Sequence, residues 1–121
     1  APIVSAMKRL AAPAGVDSIQ SSAMQEDHVS MGWSAARKLR RSVDGLTRVL
    51  AIELLTAARG LDLRAPLQPG PATGAVVAAL RERVAGVGPD RFLAPEIEYA
   101  VQLVASGRAL AAAESVTGPL A

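Results

Sequence analysis

Ile3, Val4, Met7 and Leu10 recur at the spacing of one helix face, so the chain is predicted to open in a helix. The stretch "AAPAG" breaks it at Pro13 and Gly15. A polar segment rich in Ser, Gln and Asp follows, from Asp17 to about Asp27. From Val29 to Arg59 the pattern is helical and long. In its first half Ala36, Leu39, Val43, Leu46 and Leu50 share one face, and Arg37, Arg40, Arg41, Asp44 and Arg48 share the other. In its second half, "RVLAIELLTAAR", apolar residues lie almost all round, which predicts burial on several sides. Such a helix spans roughly 45 Å at ~1.5 Å per residue. A globule of this length is only about 30 Å across. The helix is therefore expected to overhang its own domain or to sit inside something larger. Gly60 is read as its C-terminal cap.

Beyond it, "LDLRAPLQPGPATG" is a proline-rich loop. Thr73 is read as the N-cap of a helix carrying Val76, Val77, Leu80 and Val84, which "GVGPD" ends. Pro95 suits the first turn of a further helix, with Glu96 and Glu98 near its positive end and Ile97, Val101 and Val104 as its apolar stripe. Ser106-Gly107 is expected to close that helix, leaving a short alanine-rich turn and a loose tail. No strand pattern and no internal repeat is found. The predicted fold class is all-α: a long central helix with shorter antiparallel helices, the 121 residues forming a single segment.

Composition sharpens this picture. Half of the residues are hydrophobic, but many are alanine, and Trp33, Phe92 and Tyr99 are the only aromatics. Large side chains carry most burial energy, so the core of this chain alone should be thin. The formal net charge is only +2, with both signs mixed along the chain, which argues against a nucleic-acid partner. With no cysteine and one histidine, disulfides, thiolate chemistry and a structural zinc site are excluded. No apolar run reaches transmembrane length, and "APIVSAMKRL" lacks the basic front of a signal peptide. A cytoplasmic setting is expected. That start also lacks an initiator Met and reads like the middle of a helix taken from a longer chain.

Four places offer candidate chemistry. The run "RKLRR" could line a phosphate-binding face through Arg37, Arg41 and Arg48, but Asp44 sits among them without interleaved aromatics, and a solvated or salt-bridged face is the better reading. "GVGPDR" fits no phosphate-loop pattern and follows no strand. Asp27 and His28 are adjacent, and neighbours on a helix do not face each other, so a Ser-His-Asp triad is set aside. That leaves "QEDH". Its structural reading is a helix start, with Asp27 as cap and Glu26 near the positive end. Its functional reading is a carboxylate, Glu26, placed to bind a cationic or N–H-bearing ligand or to exchange a proton with one.

The run from Val16 to Gly32, "VDSIQSSAMQEDHVSMG", resembles the segment "VDSIPTSANQEDHVSMG" of histidine ammonia-lyases. "AARKLR", "RVLAIELLTAARGLDLR" and "DRFLAPEIEYAVQLVASGRAL" resemble that family too, in the same order, so the likeness runs from about Val4 to Leu110. By this resemblance, residues 1–121 are a C-terminal helical segment of a larger lyase whose N-terminal, electrophile-bearing part is absent.

The resemblance implies an all-α homotetramer that eliminates ammonia from L-histidine to give trans-urocanate, with active sites assembled from several subunits. It implies no external cofactor and no metal: the electrophile, 4-methylideneimidazol-5-one, forms from an internal Ala-Ser-Gly. The tripeptide Ala105-Ser106-Gly107 is read as a decoy, because the family's precursor lies in a "GASGDL" context further toward the N-terminus. Glu26 matches the family's active-site glutamate, implied to contact the substrate imidazole and to assist proton transfer. Gln25 is implied to bind substrate beside it, and Asp27 and His28 to support it. The expected partners are L-histidine, the rest of the polypeptide and other subunits, with no nucleic acid and no membrane; the isolated segment should be inactive. Met24 stands where the family usually has Asn, and "SAMK" replaces "SENK". These departures motivate the alternatives, a lyase or aminomutase for another aromatic amino acid, or a non-catalytic helical interaction module.

Overall fold

The computed structural model describes residues 2–16, 18–19, 23, 25 and 29–120. Among these, the regular structure is helical throughout: α1 (Pro2–Leu10), α2 (Gly32–Asp62), α3 (Pro71–Arg81), α4 (Ala94–Ala105) and α5 (Arg108–Thr117). The chain divides into two compact units, Ala1–Leu46 and Thr47–Ala121, and the division falls within α2.

In the first unit, α1 meets the early part of α2 at a glycine. A Cβ on Gly45 would lie 3.0 Å from both Cγ and Sδ of Met7, so the absent side chain is what lets Met7 approach the helix backbone. The Lys38 ammonium donates to the Ala12 carbonyl and ties the end of the α1 turn to α2. The apolar face read along this part of α2 finds little cover: Leu39 is 67 % exposed and Val43 53 %.

The second unit holds the core. Ala51 and Ala58 on α2, Leu80 on α3, Val84 just beyond it, and Tyr99, Ala100 and Leu103 on α4 are buried together. Leu54, Leu55, Val77, Val101, Val104 and Ala109 pack against them. Among the described residues only Leu80 and Leu103 are large side chains buried completely, which is the thin core that an alanine-rich composition dictates. α5 packs against both α3 and α4. The Tyr99 hydroxyl lies 3.1 Å from the Ala79 carbonyl and 3.1 Å from Glu82 Oε2, joining α4 to the end of α3. Arg108 at the start of α5 reaches the same carboxylate at 2.8 Å.

Several sequence expectations are corrected. α2 continues past Gly60 to Asp62, because Asp62 is held by Arg81 at 2.6 Å and Leu61 is partly buried; Gly60 is an interior helix residue, not a cap. α3 begins at Pro71 with Gly70 as N-cap, so Thr73 lies inside the helix. Proline's fixed φ and missing N–H suit the first helical position better than a capping hydroxyl suits a later one. The alanine-rich tail is the ten-residue helix α5 rather than a turn. Alanine has the highest helix propensity, yet it marks no apolar stripe in a sequence. The expected burial of "RVLAIELLTAAR" on several sides is only partly met, since Leu50 and Ile52 remain exposed. The termination of α4 is as expected: Ser106 is its C-cap, and Gly107 adopts the left-handed conformation, φ 75°.

Candidate active-site segment

Contacts join residues of the polar segment before α2. The Val29 N–H donates to the Ile19 carbonyl at 3.1 Å. The Ser18 hydroxyl donates to the Val29 carbonyl at 2.9 Å, across eleven positions of sequence. These contacts place Ser18 and Ile19 beside Val29. Ala23 has φ 56°, in the left-handed region that non-glycine residues visit uncommonly. Gln25 lies in a turn and is exposed. Met24, Glu26, Asp27 and His28 lie outside the described residues.

The span then runs into the N-terminus of α2. Gly32 N–H points to Ser30 Oγ at 3.3 Å, and the Ala35 N–H donates to the Met31 carbonyl at 3.0 Å. α2 starts at Gly32, and the capping role read for Asp27 lies outside the described residues. A helix start carries N–H groups without helical partners and a positive potential.

The basic face of α2 behaves as the bland reading has it. Arg37, Arg40 and Arg41 are exposed, and Arg48 pairs with Glu98 at 2.5 Å. In the second unit a cavity of about 160 Å³ is lined by Arg59, Arg81, Arg91, Thr56 and Glu96 over Leu55, Val84 and Leu93. Two of its arginines, Arg81 and Arg91, serve the fold. Arg81 binds Asp62 and the Ala85 carbonyl (3.1 Å). Arg91 binds Glu96 at 2.7 Å and 3.1 Å and the Ala85 carbonyl at 3.0 Å. The Arg91 hydrogen bond holds the Glu96 carboxyl below the usual carboxylate range, and Glu96 in turn raises Arg91. Glu82 is lowered likewise, first by its hydrogen bond from Arg108 and then by that from Tyr99. "GVGPDR" is therefore a loop pinned by its own arginine, in keeping with its reading as punctuation. At Ala105–Gly107 the Ser106 hydroxyl faces the Leu103 carbonyl at 3.4 Å, an ordinary helix-end contact.

Among the described residues no helix is long and apolar enough to cross a membrane. The sequence reading missed Ser18. A serine eleven positions from its acceptor carries no periodic or spacing signal, and only the folded chain reveals the contact.

Comparison with known proteins bears on the whole chain. The aromatic amino acid lyase family profile matches residues 1–82. The chain is 62% identical over 122 residues to the histidine ammonia-lyase of Streptomyces avermitilis, covering 100% of this chain and 24% of that protein. Its structure is similar to that of histidine ammonia-lyase from Trypanosoma cruzi, with a TM-score of 0.87 and 37% identity over 94% of this chain and 23% of the other. It is also similar to tyrosine aminomutase from Streptomyces globisporus, with a TM-score of 0.85 and 31% identity over 98% of this chain and 23% of the other. The chain thus spans about a quarter of the length of the relatives it matches.

Proposed function

This chain belongs to the aromatic amino acid lyase family, and we propose from that premise that the protein of which it is a part eliminates ammonia from L-histidine to give trans-urocanate. The observation that carries the reading is "QEDH" with a carboxylate at position 26, in a chain 62% identical to a histidine ammonia-lyase. A carboxylate accepts the imidazole N–H or stabilises its cation, whereas an apolar ring offers it no partner. Glu26 contacts the substrate imidazole and assists proton transfer, Gln25 binds beside it, and Asp27 and His28 support both. The family's electrophile, 4-methylideneimidazol-5-one, supplies the electron-poor centre that activates the substrate. It belongs to the part of the polypeptide outside this chain, since Ala105-Ser106-Gly107 fits helix termination: Ser106 caps α4 and Gly107 turns the chain into α5. This segment therefore does not turn over substrate alone. The complete protein works in the cytoplasm as a homotetramer that shares residues between subunits.

The test uses the complete protein and reads urocanate absorbance with L-histidine, arylacrylate absorbance with L-phenylalanine and L-tyrosine, and β-amino acids by chromatography. Turnover of histidine with little of the others is expected. A second reading, an aminomutase or lyase for another aromatic amino acid, is favoured by Met24 in place of the usual Asn and by the likeness to tyrosine aminomutase. It predicts the opposite ranking.

A further inference from the structure

We propose that the cavity between α2, α3 and the start of α4 receives an acidic side chain from the polypeptide outside these 121 residues, bound by the Arg59 guanidinium. The cavity measures about 160 Å³, and Leu55, Val84 and Leu93 form its apolar wall beside Thr56, Glu96 and three arginines. Two of those arginines are matched within the fold. Arg81 binds Asp62 at 2.6 Å, and Arg91 binds Glu96 at 2.7 Å. Arg59 is not: among the described residues its guanidinium has no hydrogen-bond or ion-pair partner. One positive charge is thus left over at a concave site. A carboxylate complements it, since a guanidinium presents a fork of donors that matches two carboxylate oxygens. The apolar wall suits the methylene stem of the same side chain. Size narrows the occupant further. Small-molecule sites run to about 300–1,000 Å³, so this cavity takes a group the size of one side chain. The chain spans 24% of its Streptomyces avermitilis relative, so most of the complete protein lies outside it and has the acidic residue to supply. Nothing in this depends on which amino acid the complete protein takes as substrate.

The experiment compares thermal midpoints of the complete protein with Arg59, Arg59→Gln and Arg59→Lys, from neutral pH downward. Arg59→Gln should lower the neutral midpoint by about 2 °C or more, because a docked carboxylate is left without its cation. Arg59→Lys keeps the charge and should retain most of the parental midpoint. The gap between parent and Arg59→Gln should narrow as pH falls. In the parent the docked carboxylate is depressed by its cation, and its contribution is lost as pH falls through the carboxylate range. In Arg59→Gln the orphaned carboxylate is raised by burial and gains stability as it takes a proton. The other charged groups at the cavity, Asp62, Arg81, Arg91 and Glu96, are common to all three proteins. The Glu96 carboxyl is governed by Arg91 and then Arg81, not by Arg59. Equal neutral midpoints for the parent and Arg59→Gln overturn the proposal, as does a gap of the same size at every pH. So does an Arg59→Lys midpoint as low as that of Arg59→Gln. If Arg59→Gln yields no folded protein, Arg59→Lys decides: folded, it supports the proposal, and unfolded, it overturns it. Sodium butyrate at matched ionic strength separates a free ligand from a docked side chain. It should leave the parental midpoint where sodium chloride leaves it. A rise that Arg59→Gln abolishes means that the cavity is open to free carboxylates, and the proposed side chain is then not there.

Discussion

Glu26 concentrates the chemistry proposed for this chain. Glu26→Gln keeps the shape of the side chain and its ability to hydrogen-bond, but removes the charge and the proton-accepting oxygen. If Glu26 handles a proton, kcat/KM for L-histidine should fall by about a hundredfold or more, in the range that general acid–base groups contribute. Steady-state urocanate assays across pH check this, and an unchanged rate would remove Glu26 from the mechanism. Met24→Asn is the companion experiment. It restores the amide usual in the resembled family beside Gln25 and should raise, or leave unchanged, the preference for histidine over tyrosine. Of these side chains, Glu26 and Gln25 were legible in the sequence because a run of eight residues, "QEDHVSMG", carries them in order. Ser18 was not, because its partner is defined by a fold of the backbone rather than by a spacing.

At the scale of elements, the helices were legible wherever large apolar residues recur at helical spacing, and their ends were legible where backbone geometry forces a residue type. Pro95 in the first turn of α4 and Gly107 after its C-cap belong to this group. The failures have two sources. At Gly60 and Thr73 the local preference was overruled by a neighbour outside the pattern, the Arg81–Asp62 pair and Pro71; the alanine-rich tail favours helix strongly but carries no apolar stripe to show it. Gly107 gives a quantitative check. A Cβ there meets nothing within 4 Å, so only its left-handed φ resists substitution. Gly107→Ala should cost about 1–2 kcal/mol, read as a lowered urea midpoint of the complete protein.

The ion pairs around α3, α4 and α5 set a second check, on pH. Glu82 and Glu96 both have folded-state values below the ordinary carboxylate value, through Arg108 and Tyr99 in one case and Arg91 in the other. A depressed folded value means that the unfolded chain takes up protons first as pH falls. Their contribution is therefore complete above the ordinary carboxylate value and is lost as pH drops below it through the depressed values. Thermal midpoints measured from neutral pH downward should fall through that window. Glu96→Gln should lower the neutral midpoint and flatten the acid limb. An unchanged acid limb in Glu96→Gln would show that the Arg91 pair contributes nothing to it.

For the whole molecule the informative fact is how much apolar surface this chain leaves uncovered. Along α2, Leu39, Val43, Leu46 and Leu50 are exposed, and Ala36, Leu39 and Val43 line a shallow depression with Arg40 and Asp44. With 31 residues the helix is about 46 Å long. The exposed stripe from Leu39 to Leu50 runs about 17 Å along it, and a contiguous exposed apolar patch marks an interaction surface. The chain spans about a quarter of its relatives' length, so in the complete protein the remaining polypeptide or a neighbouring subunit has the material to cover it. Covering one leucine is worth about 1.5–3 kcal/mol, and forcing an unpaired carboxylate into the same place costs several more. Leu39→Glu in the complete protein should therefore reduce the assembled fraction and the activity together, seen by light scattering alongside the urocanate assay. Arg41→Ala, on the opposite face, where the exposed arginines already meet water, should leave both unchanged. Equal effects of the two substitutions would mean that the helix is covered all round. Neither having an effect would mean that the apolar stripe faces water in the assembled protein as well. The sequence anticipated a helix too long and too apolar for its own domain; which face needs a partner is what these two variants separate.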